Sequence, residues 1–212
     1  MPSPIDYFYS TRSIYAYFGA QRIIALARRA GRPLNHKPID LSRVIPASGS
    51  LPFAQRSQRH LEHFFGREIA LWSEYLDIPA LVDPVHHYGD RALPSGFVIA
   101  ARQQGADVDA LHLAILTALW RDDRDVGDAE VLSQIAREAG LDPQPLRDAA
   151  LGDAVQAEFA RNTEEAVARG VFGSPTYFVD DEMFYGQDRL MMVERALRQP
   201  FRRPQAQQEP PR

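Results

Sequence analysis

With 212 residues, a net charge of −4 and basic side chains that are scattered rather than clustered, the chain has no electrostatic footprint for nucleic acid or an anionic membrane. Cysteine is absent altogether, which excludes disulfides, thiolate metal sites, iron–sulfur clusters and a cysteine nucleophile, and with them redox chemistry by the protein's own side chains. The first residues lack a basic region followed by a long apolar run, and no stretch approaches about 20 apolar residues, so a soluble cytoplasmic protein is expected.

Ile5 to Tyr9 is a short apolar and aromatic run between Pro4 and Ser10-Thr11, as a buried strand requires. From Ser13 a helix fits, with Ala16, Ala20, Ile23, Ile24, Ala27 and Ala30 on one face and Gly31 and Pro33 ending it. Leu34 to Leu41 resumes extended character, and Pro38 within it has no N–H for a ladder, which confines the strand to a sheet edge. Helical patterns follow for more than a hundred residues. Leu61, Phe64, Phe65, Ile69, Trp72, Tyr75 and Leu76 form a broad apolar stripe, and Val82 to Pro94 is irregular. Further helices start near Ser95, carry Leu111, Ile115 and Leu119, open at Asp128, open at Asp142-Pro143, and finally carry Val155, Phe159 and Ala166 up to Gly170.

Gly170-Val-Phe-Gly-Ser-Pro-Thr-Tyr-Phe-Val-Asp-Asp-Glu-Met-Phe-Tyr-Gly-Gln-Asp-Arg-Leu190 is the most informative stretch. It reads as a helix stop, an X-Pro turn, a strand from Thr176 to Val179, a turn at Asp180-Asp181, a strand from Met183 to Tyr185, and a helix opening near Gln187. Pro175, leading straight into a hairpin, is a candidate cis bond, against a strong prior for trans. Beyond Pro200 the chain has no periodicity and reads as a disordered tail. The expected fold is α/β: a thioredoxin-like βαβ…ββα core with a large all-helical insertion. Residues 1–42 and 171–199 make the core, 43–170 the insertion and 200–212 the tail. That arrangement brings the turn at Ser10 to Ile14 beside the loop before Pro175, where two loops facing each other at a strand's carboxyl end make a natural site.

Asp6-Tyr-Phe-Tyr-Ser-Thr-Arg-Ser-Ile-Tyr-Ala-Tyr-Phe-Gly19, taken with the Gly170–Leu190 stretch, resembles the 2-hydroxychromene-2-carboxylate isomerase family. That family is similar to kappa-class glutathione transferases and, more remotely, to DsbA-like thioredoxin-fold proteins. The resemblance implies glutathione as cofactor and a small aromatic carboxylate as substrate. It matches Ser13 to the serine that holds the glutathione sulfur, and Ser174 before Pro175 to the residue whose main chain pairs with the cysteinyl part. Tyr185, Gly186, Gln187 and Asp188 match the stretch that engages the γ-glutamyl end. Substrate contacts are implied at Arg12 or Arg43, Gln55 and His87. The family's Ser-Pro is Ser13-Ile14 here, Ser50 stands where asparagine is common, and Ile45 where a basic residue can occur.

Without the resemblance, Ser13 is an N-cap and Asp188 a carboxylate complementing the dipole of the last helix. Even so, a hydroxyl among helix N-terminal amides suits a thiolate, because those amides favour negative charge. His86-His87 lacks the spacing of a metal site, and His60 and His63 read as exposed. Three functions stay open: a glutathione-dependent isomerase, a kappa-like glutathione transferase, and a non-catalytic thioredoxin-fold binding protein. Whether the chain forms a homodimer also stays open.

Overall fold

In the computed structural model, which describes residues 3–202, strand β1 (Ile5–Tyr9) runs through the middle of the protein. Its side chains alternate as a pleated strand requires: Ile5, Tyr7 and Tyr9 face one layer and Phe8 the other, all buried. After the turn at Ser10–Ser13, helix α1 (Ile14–Ala30) crosses back and ends at Gly31 in the left-handed conformation, φ 62°. Ala30, expected on the buried face, is exposed in that last turn. Strand β2 (Leu34–Pro38) pairs parallel with β1, Ile5 opposite Leu34 and Tyr9 opposite Pro38. It is an edge strand, as Pro38 requires. The extended run stops at Pro38 rather than Leu41, because Asp40 caps a short helix α2 (Leu41–Ala47) by accepting from the Ser42 amide at 2.9 Å.

Helices α3 (Gln58–Glu62) and α4 (Glu68–Leu76) are joined through a π-helical turn, His63–Arg67. Of their apolar stripe only Ile69 is fully buried; Phe64, Phe65 and Trp72 are half-buried and Tyr75 is exposed. The stripe therefore faces a partly open space. Helix α5 (Ala92–Gln103) begins three residues before the expected Ser95. Pro94 is tolerated in its first turn, where no intrahelical donor is needed, and the Asp90 carboxylate accepts from the amides of Ala92 and Leu93 at 3.2 and 2.7 Å. Helices α6 (Val108–Trp120), α7 (Ala129–Glu138), α8 (Pro143–Ala150) and α9 (Asp153–Ala168) follow, with Asp107, Asp128 and Asp142 as side-chain N-caps of the first three.

The chain then returns to the sheet. Strand β3 (Thr176–Val179) pairs antiparallel with β1, Phe8 opposite Thr176, and with β4 (Glu182–Tyr185), so the sheet order is β2-β1-β3-β4. A 3₁₀ turn, Gln187–Arg189, leads into α10 (Leu190–Arg198). One face of the sheet, with Ile5, Tyr7, Tyr9, Tyr177 and Val179, shares a continuous core with α1 and α5–α8. On the other face Phe8 and Phe178 pack with Ile39, Val44, Ala166 and Val171. Of the expected tail, residues 203–212 lie outside the described ones. Phe201, which the sequence assigned to it, instead packs against Phe184, with ring centroids 5.9 Å apart, and beneath the Arg195 guanidinium.

Candidate functional site

Two loops from opposite ends of the sequence meet where β1 ends and β3 begins. Ser13 has extended backbone angles, φ −85° and ψ 118°, and its Oγ accepts from the Ala16 amide at 3.2 Å, capping α1. The same hydroxyl donates to the Ser174 carbonyl at 3.2 Å. In return Ser174 Oγ accepts from the Ser10 amide at 3.0 Å, so the two loops are tied in both directions. The Ser174–Pro175 bond is cis. Ser10, Thr11, Arg12 and Ser174 are all buried, whereas Ser13 is part-exposed, the least enclosed residue of this junction. No acidic residue lies in the first turn of α1 to offset the positive end of that 17-residue helix.

On one side of Ser13 lies the stretch Tyr185 to Asp188. The Tyr185 ring covers Gly173, where an added Cβ would come within 2.6 Å of it, and it stacks edge-on against Phe172. Burial raises the Tyr185 phenol above its ordinary pKa, keeping it a neutral donor. Gly186 has φ 100°, and its amide donates to the Pro175 carbonyl at 2.9 Å, so this amide is already engaged and is not free for a γ-glutamyl carboxylate. The Gln187 side chain is buried and turned inward, accepting from Arg22 on α1 at 2.7 Å, and the Gln187 carbonyl accepts from Arg22 as well, at 3.4 Å. Asp188 keeps its carboxylate at the surface, folded back over Gly186 and paired with Arg189. A ligand ammonium there would compete with Arg189 for it.

Two residues past Ser13, at Tyr15, begins an aromatic wall that the sequence did not reveal as one. The Tyr15 ring lies 4.9 Å from Phe64, and its hydroxyl donates to the Phe64 carbonyl at 3.0 Å. Phe64 in turn packs on Phe65 and Phe53, at 4.9 and 6.0 Å, and stacks with His60 at 5.7 Å. His87, expected at the pocket mouth, sits behind this wall, its ring 5.5 Å from Phe65 and 4.6 Å from Trp120. Burial, reinforced by nearby Arg12, lowers its pKa to about 4, so it is neutral at physiological pH. The signal for the wall was present in the Phe64-Phe65 pair and in Tyr15 in the first turn of α1, but periodicity assigned Phe64 and Phe65 to an apolar stripe and left Tyr15 off the helix face.

Arg12, expected to meet the substrate, is enclosed. The residue is 4% exposed; its Nε donates to the Asp90 carbonyl at 2.7 Å and its Nη1 to the His86 carbonyl at 2.5 Å, with Asp125 3.9 Å away. Added Cβ atoms at Gly89 and Gly127 would come within 2.9 and 3.0 Å of Arg12 Nη2, so two glycines make room for it. It is a clamp on the loop before α5, facing away from any incoming carboxylate. Arg43, on α2, and Gln55, ending the 3₁₀ turn Phe53–Gln55, are exposed. Ile45 is buried, and Ser50 shares a hydrogen bond with Ser48. Among the described residues no group of histidine and carboxylate side chains could hold a metal ion, and no helix is long and apolar enough to cross a membrane.

The chain as a whole is similar to proteins of known identity. A curated protein of Pseudomonas sp. (strain C18), 2-hydroxychromene-2-carboxylate isomerase, is 29% identical over 91% of this chain and 89% of its own length. The solved structure of a 2-hydroxychromene-2-carboxylate isomerase superposes with a TM-score of 0.75 at 26% identity, covering 91% of this chain and 93% of the other. The cytosolic disulfide reductase DsbM from Pseudomonas aeruginosa, solved with GSH, shares the fold at a TM-score of 0.64 and 20% identity, with 93% of each chain covered. The model of the DSBA-like thioredoxin domain matches residues 4–198, and the chain belongs to that family.

Proposed function

We propose that the protein is a glutathione-dependent cis–trans isomerase acting on an aromatic α-keto acid or its cyclic hemiketal. The observation that carries this reading is the hydroxyl of part-exposed Ser13 at the start of α1, bonded to the main chain of Ser174 just before the cis Pro175. When bound, glutathione would supply a thiolate that adds reversibly to the conjugated double bond, letting it rotate before the thiol leaves unchanged.

The residues fit that partner. Ser13 already bridges two groups of the kinds a cysteinyl unit presents, and a small rotation moves its hydrogen from the Ser174 carbonyl to a sulfur. The released carbonyl then accepts from the cysteinyl amide, as in strand addition. Asp188 can take the α-ammonium, in exchange for Arg189. The Tyr15–Phe64 wall gives an aromatic substrate a face to lie on and keeps water from the reacting carbons. Free glutathione is abundant in the cytoplasm, where we place the protein.

The test is a spectrophotometric isomerisation assay on an aromatic 2-oxo-3-enoate, with and without glutathione, while total thiol is followed. Turnover that needs glutathione without consuming it is expected. Turnover indifferent to glutathione overturns the reading, and stoichiometric loss of thiol makes the protein a transferase.

A further inference from the structure

The aromatic wall ends on a cation. Arg56 lies with its guanidinium over the Phe53 ring, 4.3 Å from the centroid, and its Nε donates to the Leu51 carbonyl at 3.0 Å. Its Nη1 meets His60 Nε2 at 3.3 Å, and His60 stacks on Phe64. The head group is thus held by a ring, a carbonyl and an imidazole, none of which neutralises it. Among the described residues no carboxylate comes within 4.0 Å of Arg56; Arg43 and Arg59 are also without one, but only Arg56 of the three lies on a ring of the wall.

Arg56 lies near enough to the site for its charge to act on the Tyr185 phenol, whose ring covers Gly173. The path from Arg56 to Ser13 runs through Phe53, Phe64 and Tyr15 in successive ring contacts of 6.0 and 4.9 Å. A planar cation fixed beside a row of aromatic rings, with hydrogen-bond donors free, is the arrangement that recognises a carboxylate attached to an aromatic body. Because the guanidinium is already held in place, a ligand carboxylate does not have to order it.

We infer that Arg56 is the receptor for the substrate carboxylate, with Phe53 and Phe64 as the platform for the aromatic part, in place of the enclosed Arg12 or the exposed Arg43. The inference rests on the site proposed above, and it concerns a binding preference that can be read without turnover.

Calorimetry with cinnamate and its neutral isostere cinnamamide separates the two. The wild-type protein should bind cinnamate at least tenfold more tightly than cinnamamide. Arg56→Gln should abolish that preference while leaving cinnamamide binding and glutathione affinity unchanged, and Arg56→Lys, which keeps the charge but loses the fork, should fall between. A preference that survives Arg56→Gln overturns the inference, as does a wild-type protein that binds neither compound. Weakened glutathione binding with the cinnamate preference intact also overturns it, placing Arg56 on the glycyl carboxylate of glutathione. If glutathione proves irrelevant to turnover while the cinnamate preference depends on Arg56, the proposed mechanism fails and the carboxylate site stands.

Discussion

Ser13 holds two bonds with one hydroxyl, and they have different uses. The bond from the Ala16 amide caps α1, and the bond to the Ser174 carbonyl keeps the two loops in register. Ser13→Ala should cost about 1 kcal/mol of stability by loss of the cap. If the hydroxyl holds a thiolate, activity should fall roughly ten- to a hundredfold, since a charge-assisted hydrogen bond is worth about 1.5 to 3 kcal/mol. Glutathione affinity, read by calorimetry, should change much less, because the main-chain contacts remain; full activity in the variant would reduce Ser13 to a cap. Arg12, next to it, should behave in the opposite way. Arg12→Gln leaves the carbonyls of His86 and Asp90 without their donor inside the loop and should destabilise the protein by about 2 to 3 kcal/mol in urea denaturation. Substrate KM should barely move; a large KM change with unaltered stability would return Arg12 to the substrate. The contrast shows what the sequence could and could not disclose. Ser13 was legible because capping is local and the Gly170–Leu190 stretch vouches for it. The direction of Arg12 was not, because it is set by carbonyls 74 and 78 residues further along the chain.

At the scale of elements, each strand could be read from apolar runs and turn residues, and the edge position of β2 from Pro38, although β2 stops short of the expected Leu41. The errors fell at starts and joints. The early start of α5 depends on the Asp90 carboxylate reaching two amides, and the π turn between α3 and α4 adds a residue to the helical repeat where no glycine or proline rule requires one. One close approach between helices is also invisible in sequence. Gly96 of α5 lies against α8, where an added Cβ would stand 2.8 Å from the carbonyl carbon of Ala150 and 3.0 Å from its Cα. Backbone cannot yield as a flexible side chain can, so Gly96→Ala should destabilise by about 2 kcal/mol or more through forced separation of the two helices. Gly66 in the π turn has nothing within 4 Å, and Gly66→Ala should be neutral or stabilise by up to about 1 kcal/mol. Paired thermal melts check both, and similar shifts for the two variants would contradict the packing argument.

For the molecule as a whole, two histidines inside the fold tie stability to pH. Burial, with a further contribution from His36, keeps His112 well below its ordinary pKa beneath the sheet, where its Nε2 meets the Tyr7 hydroxyl at 3.1 Å; burial and Arg12 hold His87 at about 4. Both titrate near about 6.5 in the unfolded chain, which therefore binds more protons than the native state at mildly acidic pH. Their contribution is complete above about pH 6.5 and declines as pH falls toward the native values. Denaturant midpoints at pH 7.5 and 4.5 should show the drop, and His87→Phe should lose less between the two; an equal loss would show that His87 plays no part. The meeting of Ser13 and Ser174, 161 residues apart, has a consequence for how the protein is made. During synthesis β1, α1 and β2 leave the ribosome first, while the edge of β1 that will receive β3 waits for the end of the chain. At roughly 5 to 20 residues per second that edge is open for on the order of ten seconds or more, a template on which another nascent chain can pair. The final hairpin thus joins Ser174 to Ser13 and closes that edge in one step, so a chain released before Gly173 has neither that junction nor protection from its neighbours.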